Sequence, residues 1–248
     1  MKSSWLDQQE SRETSRKPFL LGALRYSAVE LLISLILLIF LTPFFQDVPG
    51  GTFVDGVLMT VVFGSAVMAV GARRRTLILA IALAIPAVAG KWMHHLQPRL
   101  FPPPLFLVCA IIFLIFVIVH FLRFVLRTRR VNAEVLCASV SAYLMIGVLW
   151  AMAYRLAAVI TPSAFVFNSA QASNGPMDGF TSFYFSFTTL TTVGYGDITP
   201  VSHVARMLSV MEAMTGTLYV AVLIARLVGL YSTQNASAQA DDADPNAP

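Results

Sequence analysis

Six apolar stretches, each long enough to cross a lipid bilayer, are the feature of this sequence that most restricts its fold. A helix needs about 20 mostly apolar residues to cross roughly 30 Å of hydrocarbon. The stretches lie near residues 26–45, 53–70, 76–93, 105–122, 134–160 and 202–231. Hydrophobic residues make up 57% of the chain and charged residues only 12%, which leaves little sequence for a soluble domain. The sequence therefore predicts an all-α membrane protein with six transmembrane helices.

Basic residues are distributed unevenly between the connections that join these stretches. Lysine and arginine near the ends of spans concentrate on the cytoplasmic side of a membrane. With the N-terminus placed inside, 13 of the 17 basic residues fall on that side, and the others are Lys91, Arg99, Arg155 and Arg206. We therefore expect a multi-pass protein of the cell membrane, surrounded by lipid, with both termini cytoplasmic. Because the net charge of +4 follows topology and is not gathered on one face, no nucleic-acid partner is expected.

The connection between Ile160 and Ser202 is too polar to span a membrane, yet residues 180–190 are too apolar for an ordinary loop. Asp178 can cap a helix over Gly179–Thr189, which would have about three turns and cover roughly half a membrane. Non-helical backbone at that depth is tolerated only where protein buries it or water lines it. We therefore predict a re-entrant pore helix followed by a segment that lines a pore.

The segment after that helix reads Thr-Thr-Val-Gly-Tyr-Gly-Asp over residues 191–197, and we call it the filter segment. Potassium is selected by rings of carbonyl oxygens that replace its hydration shell, so several successive carbonyls must point at one axis. Gly194 and Gly196 permit the left-handed backbone conformations that this requires. Val193 and Tyr195 would then point away from the axis and brace the segment. One chain supplies one wall, so four chains are expected around the axis.

In these residues the sequence resembles the tetrameric potassium channel superfamily, and specifically its bacterial-type six-helix subunits with one pore loop. Residues 191–197 match the filter signature of that superfamily without a gap, and the similarity extends over about 134–231. The resemblance implies a homotetrameric, potassium-selective channel with no enzyme activity and no cofactor besides potassium ions. The ion-binding residues that it implies are Thr192, Val193, Gly194, Tyr195 and Gly196, with the carbonyls of the first four and the Thr192 hydroxyl holding dehydrated potassium.

The outer end of the filter segment needs support, which we assign to Asp197, Tyr184 and Thr188. Many relatives place a carboxylate at the pore-helix position that Thr188 occupies here, where it pairs with the signature aspartate. Without that partner, Asp197 is expected to accept hydrogen bonds from neutral donors. The phenol of Tyr184 and the hydroxyl of Thr188 are the two candidates.

Gly216 occupies the position of the superfamily's inner-helix hinge. Thr217, Val220 and Ile224 then share one face of that helix, because they are spaced by three and four, and we predict that they line the inner cavity and gate. Glu212 lies one turn before Gly216, and an ionisable residue within a span is a candidate functional residue. Two roles stay open for it: a hydrogen bond to a pore-helix hydroxyl, and a direct part in conduction or gating.

The chain divides into an N-terminal cytoplasmic segment (1–17), a four-helix membrane domain (18–130), a pore domain (131–231) and a disordered cytoplasmic tail (232–248). The four-helix domain is similar in helix number to a voltage sensor, which needs arginine at every third position through the membrane. Residues 105–119 carry no charge, and the arginines follow at the end of the fourth span. We therefore expect no strong voltage gating. The tail has no hydrophobic periodicity, and no soluble ligand-binding domain is expected.

Other functions are compatible with parts of the sequence. A less selective cation channel is disfavoured by Tyr195 in the filter segment. A proton-coupled or potassium transporter could use Glu30, His120 and Glu212 as a relay, although transporters that borrow this pore usually carry four pore loops in one chain. A receptor or scaffold would leave the filter segment unexplained. The gating stimulus stays open.

Several other polar residues have an ordinary role and a functional one as alternatives. The outward histidines could sense pH or simply be exposed, and they are His94, His95 and His203. Trp150 and Tyr154 are expected in the aromatic belt at the membrane interface, with Arg155 extending beside them toward water.

Overall fold

The computed structural model describes residues 28–45, 48, 50–70, 74–97, 102–128, 132–168 and 177–243. Its elements in chain order are α1 (Ala28–Phe45), α2 (Gly51–Val70), α3 (Arg74–Leu96), α4 (Pro103–Arg127), α5 (Ala133–Ile160), β1 (Phe165–Phe167), α6 (Gly179–Leu190), β2 (Ile198–Pro200) and α7 (His203–Ala243). Within these ranges six helices are long and apolar enough to cross a membrane, and α6 is the shorter re-entrant helix between the last two. The predicted all-α membrane fold is confirmed.

Two features of the fold differ from the sequence prediction. The strands β1 and β2 pair antiparallel, with Val166 opposite Thr199, and three-residue strands are too short to show an alternating pattern in sequence.

The tail was expected to be disordered from residue 232, but α7 continues to Ala243. Alanine and glutamine in this stretch favour a helix that is already nucleated by the apolar part before it. The N-terminal segment 1–17 lies outside the described residues.

The helix α4 lies between the first helices and the pore unit, since it packs against both α3 and α5. Its buried face carries large apolar side chains such as Phe113, Leu114 and Val117, none of which is exposed. Because α4 packs on α5, the four-helix unit (α1 to α4) lies against the pore unit (α5 to α7) of its own chain.

Arg226 of α7 ties the inner helix to the end of α4. Its Nε donates to the Val125 carbonyl at 3.1 Å, and its Nη2 donates to the Thr128 carbonyl at 2.9 Å. These carbonyls belong to the last turn and cap of α4, where a positive charge also complements the helix dipole. A displacement of α4 would therefore be transmitted to α7.

Polar contacts join α2 to α3 at the ends that lie near α6. Lys91 donates to an oxygen of Asp55 at 2.5 Å, and the Trp92 indole donates to Thr60 at 3.0 Å. The Arg155 guanidinium lies beside this pair, and its Nη1 is enclosed without a hydrogen-bond partner in the part of the chain that the structure describes. Arg155 itself is half-buried, and with residues of α2, α3 and α6 it lines a cleft at this end of α5.

Gly216 lies where α7 crosses the end of α6. The helix continues without a break through this residue, and a Cβ built there would lie 2.3 Å from the Leu190 carbonyl oxygen. The glycine therefore permits close packing of α7 on α6 in this structure, whereas the resemblance implied a hinge.

Gly216→Ala should force α7 away from α6 and destabilise the protein by about 1–3 kcal/mol, the usual cost of overpacking. Thermal unfolding of the purified protein in detergent measures this loss of stability as a lower melting temperature. Gly64→Ala is the matched control, because a Cβ there meets nothing within 4 Å. Alanine at that helical position should be neutral or stabilising by up to about 1 kcal/mol. Equal melting temperatures for the two variants would contradict the close packing at Gly216.

Candidate functional site

The pore helix α6 begins at a side-chain cap and ends beside the filter segment. Asp178 accepts a hydrogen bond from the Thr181 amide at 2.9 Å, which is the cap that the sequence predicts. A carboxylate at this end also complements the positive end of the helix dipole. The opposite end, at Leu190, is the negative end of the helix dipole and leads directly into residues 191–197.

Every second residue of the filter segment has a left-handed backbone conformation. The φ angles are +61° at Thr192, +51° at Gly194 and +80° at Gly196. Alternation between left-handed and ordinary conformations turns successive peptide carbonyls toward one side. The sequence predicts this at the two glycines but not at Thr192, where a β-branched residue with positive φ is strained.

The amides of the filter segment are bonded to the end of the pore helix. The amides of Val193 and Gly194 donate to the Thr188 carbonyl at 2.8 and 3.1 Å, and the Thr192 amide donates to the Thr189 carbonyl at 2.9 Å. These bonds hold the backbone through its N–H groups. Thr188 therefore supports the filter segment through its backbone carbonyl. The identity of its side chain could not indicate this role.

Four successive carbonyls of this segment have no hydrogen-bond donor among the residues that the structure describes, and they belong to Thr192, Val193, Gly194 and Tyr195. Residues 191–196 are also exposed on the isolated chain. Backbone carbonyls in folded proteins are nearly always paired with protein or water. These four oxygens are therefore available to an external cation or to water.

Asn168, directly after β1, fastens the other end of the filter segment. Its side-chain amide donates to the Gly196 carbonyl at 2.8 Å, and its backbone N–H donates to the Asp197 carbonyl at 2.6 Å. The pairing of β1 with β2 brings Asn168 to this position. Sequence reasoning missed Asn168, and only the short run Phe165-Val166-Phe167 could have indicated a strand before it.

Asp197 is supported by Tyr184 and not by the Thr188 side chain. The Tyr184 phenol donates to Asp197 Oδ2 at 2.8 Å, whereas the Thr188 hydroxyl donates to the Phe185 carbonyl at 3.1 Å within α6. Tyr184 also stacks on Tyr195, with ring centroids 6.2 Å apart and planes 5° from parallel. Of the two predicted donors, the structure brings only Tyr184 to Asp197.

Behind the pore helix, a buried carboxylate joins three helices. Glu212 of α7 accepts from the Tyr154 phenol of α5, and its other oxygen lies 2.5 Å from the Ser186 hydroxyl of α6. All three side chains are fully buried. Of the roles left open for Glu212, the structure therefore contains the contact with a pore-helix hydroxyl. Tyr154 is not in an interfacial belt, because it is fully buried and its ring packs against Phe165 and Phe185.

The remaining candidate residues lie apart from this assembly. Thr217, Val220 and Ile224 are exposed on α7. Glu30 is exposed on α1 and His120 is half-buried near the end of α4, and the structure shows no hydrogen bond or ion pair between either of them and Glu212 in the described ranges. His94 and His95 line a cavity of about 330 Å³ beside Lys91 and Arg155.

Comparison with known proteins connects this geometry to a family. A family model described as "Ion channel" matches residues 154–232, which include Tyr154, the whole filter segment and most of the apolar part of α7. Protein LctB of Bacillus caldotenax is 33% identical over 102 residues, which are 41% of this chain and 75% of the relative. No solved structure matches the chain.

Tyr184→Phe should loosen the filter segment, because it removes the donor to a partly exposed carboxylate at a cost of about 1 kcal/mol. Hydrogen exchange of the purified protein, read by mass spectrometry, should show roughly fivefold faster exchange over residues 192–198. Thr188→Ala is the matched control and should leave that exchange unchanged, because its hydroxyl bonds only within α6. Faster exchange in Thr188→Ala than in Tyr184→Phe would show that Asp197 is held differently.

Proposed function

Because the chain belongs to the ion channel family, we propose that it is one subunit of a homotetramer that conducts potassium passively across the cell membrane. The observation that carries the proposal is the row of four unpaired carbonyls at residues 192–195, on a backbone whose amides are bonded to the pore helix. Carbonyl oxygens in successive rings replace the hydration shell of potassium. No enzyme activity is part of the proposal.

The exposed apolar side chains of the filter segment support assembly of four copies. Val193 is 54% exposed and Tyr195 is 72% exposed on the isolated chain. Together with Ile39 of α1 and Phe187 of α6 they line an open cleft of about 320 Å³. Lipid cannot cover this surface, because the carbonyls of the same segment would then lack hydrogen-bond donors. In a fourfold ring it would be covered by a second copy, and the carbonyls of four chains would face one axis.

The inner helix completes the proposed path for ions. Thr217, Val220 and Ile224 would line a water-filled cavity between the filter and the cytoplasm, where the negative end of α6 favours a cation. The excess of basic residues in the connections opposite the filter supports a cytoplasmic location for both termini. With that orientation the Asp197 end of the filter faces outward.

The four-helix unit would not make this channel strongly voltage-gated. Along α4, arginines occur only at positions 123 and 127, in the last turns before the helix ends at Arg127. Moving one elementary charge across the membrane contributes about 2.3 kcal/mol per 100 mV, so charges outside the hydrocarbon contribute little. Arg226 still connects α4 to the inner helix, which leaves a mechanical route from the four-helix unit to the gate.

Recordings from the purified protein in planar bilayers test the proposal. Under mixed potassium and sodium solutions, each tenfold change in the potassium gradient should shift the reversal potential by about 59 mV, the value for a singly charged ion. The same change in the sodium gradient should shift it little. A reversal potential that follows both ions equally would contradict potassium selectivity.

Gly194→Ala serves as the control for this recording. The added methyl group disfavours the positive φ at Gly194, while a Cβ there meets nothing within 4 Å, so packing is unaffected. The variant should assemble as the wild type does, as seen by size-exclusion chromatography, and should carry no potassium current. Unchanged current through this variant would show that the filter segment is not the conducting part.

A further inference from the structure

The contacts around Glu212 contain one more acceptor than the hydroxyl hydrogens can satisfy. Ser186 Oγ lies 2.8 Å from the Gly147 carbonyl oxygen and 2.5 Å from Glu212 Oε1. A serine hydroxyl has one hydrogen and can donate to only one of them. A carbonyl cannot donate, and neither can an ionised carboxylate. Both short contacts are hydrogen bonds only if the second hydrogen is on Glu212.

A proton on Oε1 of Glu212 completes a chain of bonds through three helices. The Tyr154 phenol donates to Oε2, Glu212 Oε1–H donates to Ser186 Oγ, and the Ser186 hydroxyl donates to the Gly147 carbonyl. Every hydrogen then has an acceptor. With an ionised Glu212, Ser186 would have to turn to the carboxylate, and two oxygens with no hydrogen between them would face each other across the 2.8 Å contact to Gly147.

The surroundings of Glu212 offer nothing that would balance a negative charge. The titratable groups facing it are Tyr154 and Tyr143, both on α5, while α6 contributes the neutral Ser186. No lysine, arginine or histidine in the described ranges forms an ion pair with it. Glu212 is also fully buried, and an unpaired charge in the interior of a membrane protein is strongly disfavoured.

We propose that Glu212 is a positioning residue for the filter which works as a neutral carboxylic acid, bridging α5 and α7 to the pore helix through Tyr154 and Ser186. The protonation state follows from the hydrogen count and does not depend on the proposed function; its effect on conduction does. Raising the pH until Glu212 ionises would break the Ser186 bond to Gly147. It would also leave a buried charge behind the pore helix, so the neutral, conducting arrangement is lost as pH rises.

Infrared spectroscopy of the purified protein tests the protonation state without any need for current. At neutral pH the wild type should show a carbonyl band of a protonated carboxylic acid that is missing in Glu212→Gln. Glu30→Gln is the matched control, because Glu30 is exposed on α1, and it should retain the band. Ser186→Ala leaves Glu212 in place and should shift the band. A wild type without this band at neutral pH would overturn the proposal, whatever the variants show.

Bilayer recordings then test the positioning role. Glu212→Gln has an N–H for Ser186 and a carbonyl for Tyr154, so it should conduct at neutral pH as the wild type does. The pH is raised from neutral to no more than about 10, the ordinary pKa of a tyrosine side chain. This change should lower the open probability of the wild type at least several-fold, and it should leave the open probability of Glu212→Gln unchanged. Equal pH responses of the two proteins would overturn the positioning role. If neither protein conducts, the proposed function fails and the infrared result still decides the protonation state.

Discussion

The filter segment depends on the hydrogen bonds that its amides donate to the Thr188 carbonyl, at the end of the pore helix. Carbonyls that are to bind an ion cannot also hold their own backbone in place, so the segment has to be held through its N–H groups. Thr188 accepts from the amides of Val193 and Gly194, and Asn168 holds the Gly196 carbonyl at the far end. Between these two anchors the carbonyls of residues 192–195 accept no hydrogen bond from any residue that the structure describes. The strained conformation of Thr192 persists because hydrogen bonds to the helix fix it.

The position of Thr188 depends in turn on how α6 is packed, and that packing uses small residues and buried polar groups. A Cβ at Gly147 would lie 2.6 Å from the Phe187 ring, and one at Gly216 would meet the Leu190 carbonyl, so both neighbouring helices approach α6 closely. Glu212 adds a polar link on the same side through Ser186. Inside a membrane, where lipid is as apolar as a leucine side chain, such close contacts and hydrogen bonds are what distinguish one helix arrangement from another.

Much of this could be predicted from the sequence, and the remainder has physical reasons. The six spans follow from local hydropathy, and the pore helix follows from Asp178 and the apolar run after it. Tyr184 was one of two candidate donors to Asp197. The sequence gives the position of each hydroxyl along the helix, but it does not show that the Thr188 hydroxyl already bonds to a carbonyl of the same helix. Asn168 was missed and Tyr154 was assigned to the membrane interface, since each residue acts on a partner far away in sequence that no periodicity indicates. The continuation of α7 to Ala243 was not predicted, because the polar residues after 231 have no hydrophobic periodicity, although they extend an existing helix.

Electron cryomicroscopy of the purified protein in potassium chloride tests the central claim most directly, because the claim requires four copies of the unpaired carbonyls around one axis. The account predicts fourfold particles in which residues 192–196 of the four chains surround a row of ion densities. The positions or strengths of these densities should differ when sodium replaces potassium. Particles without fourfold symmetry, or a fourfold particle whose axis is not lined by these carbonyls, would contradict it.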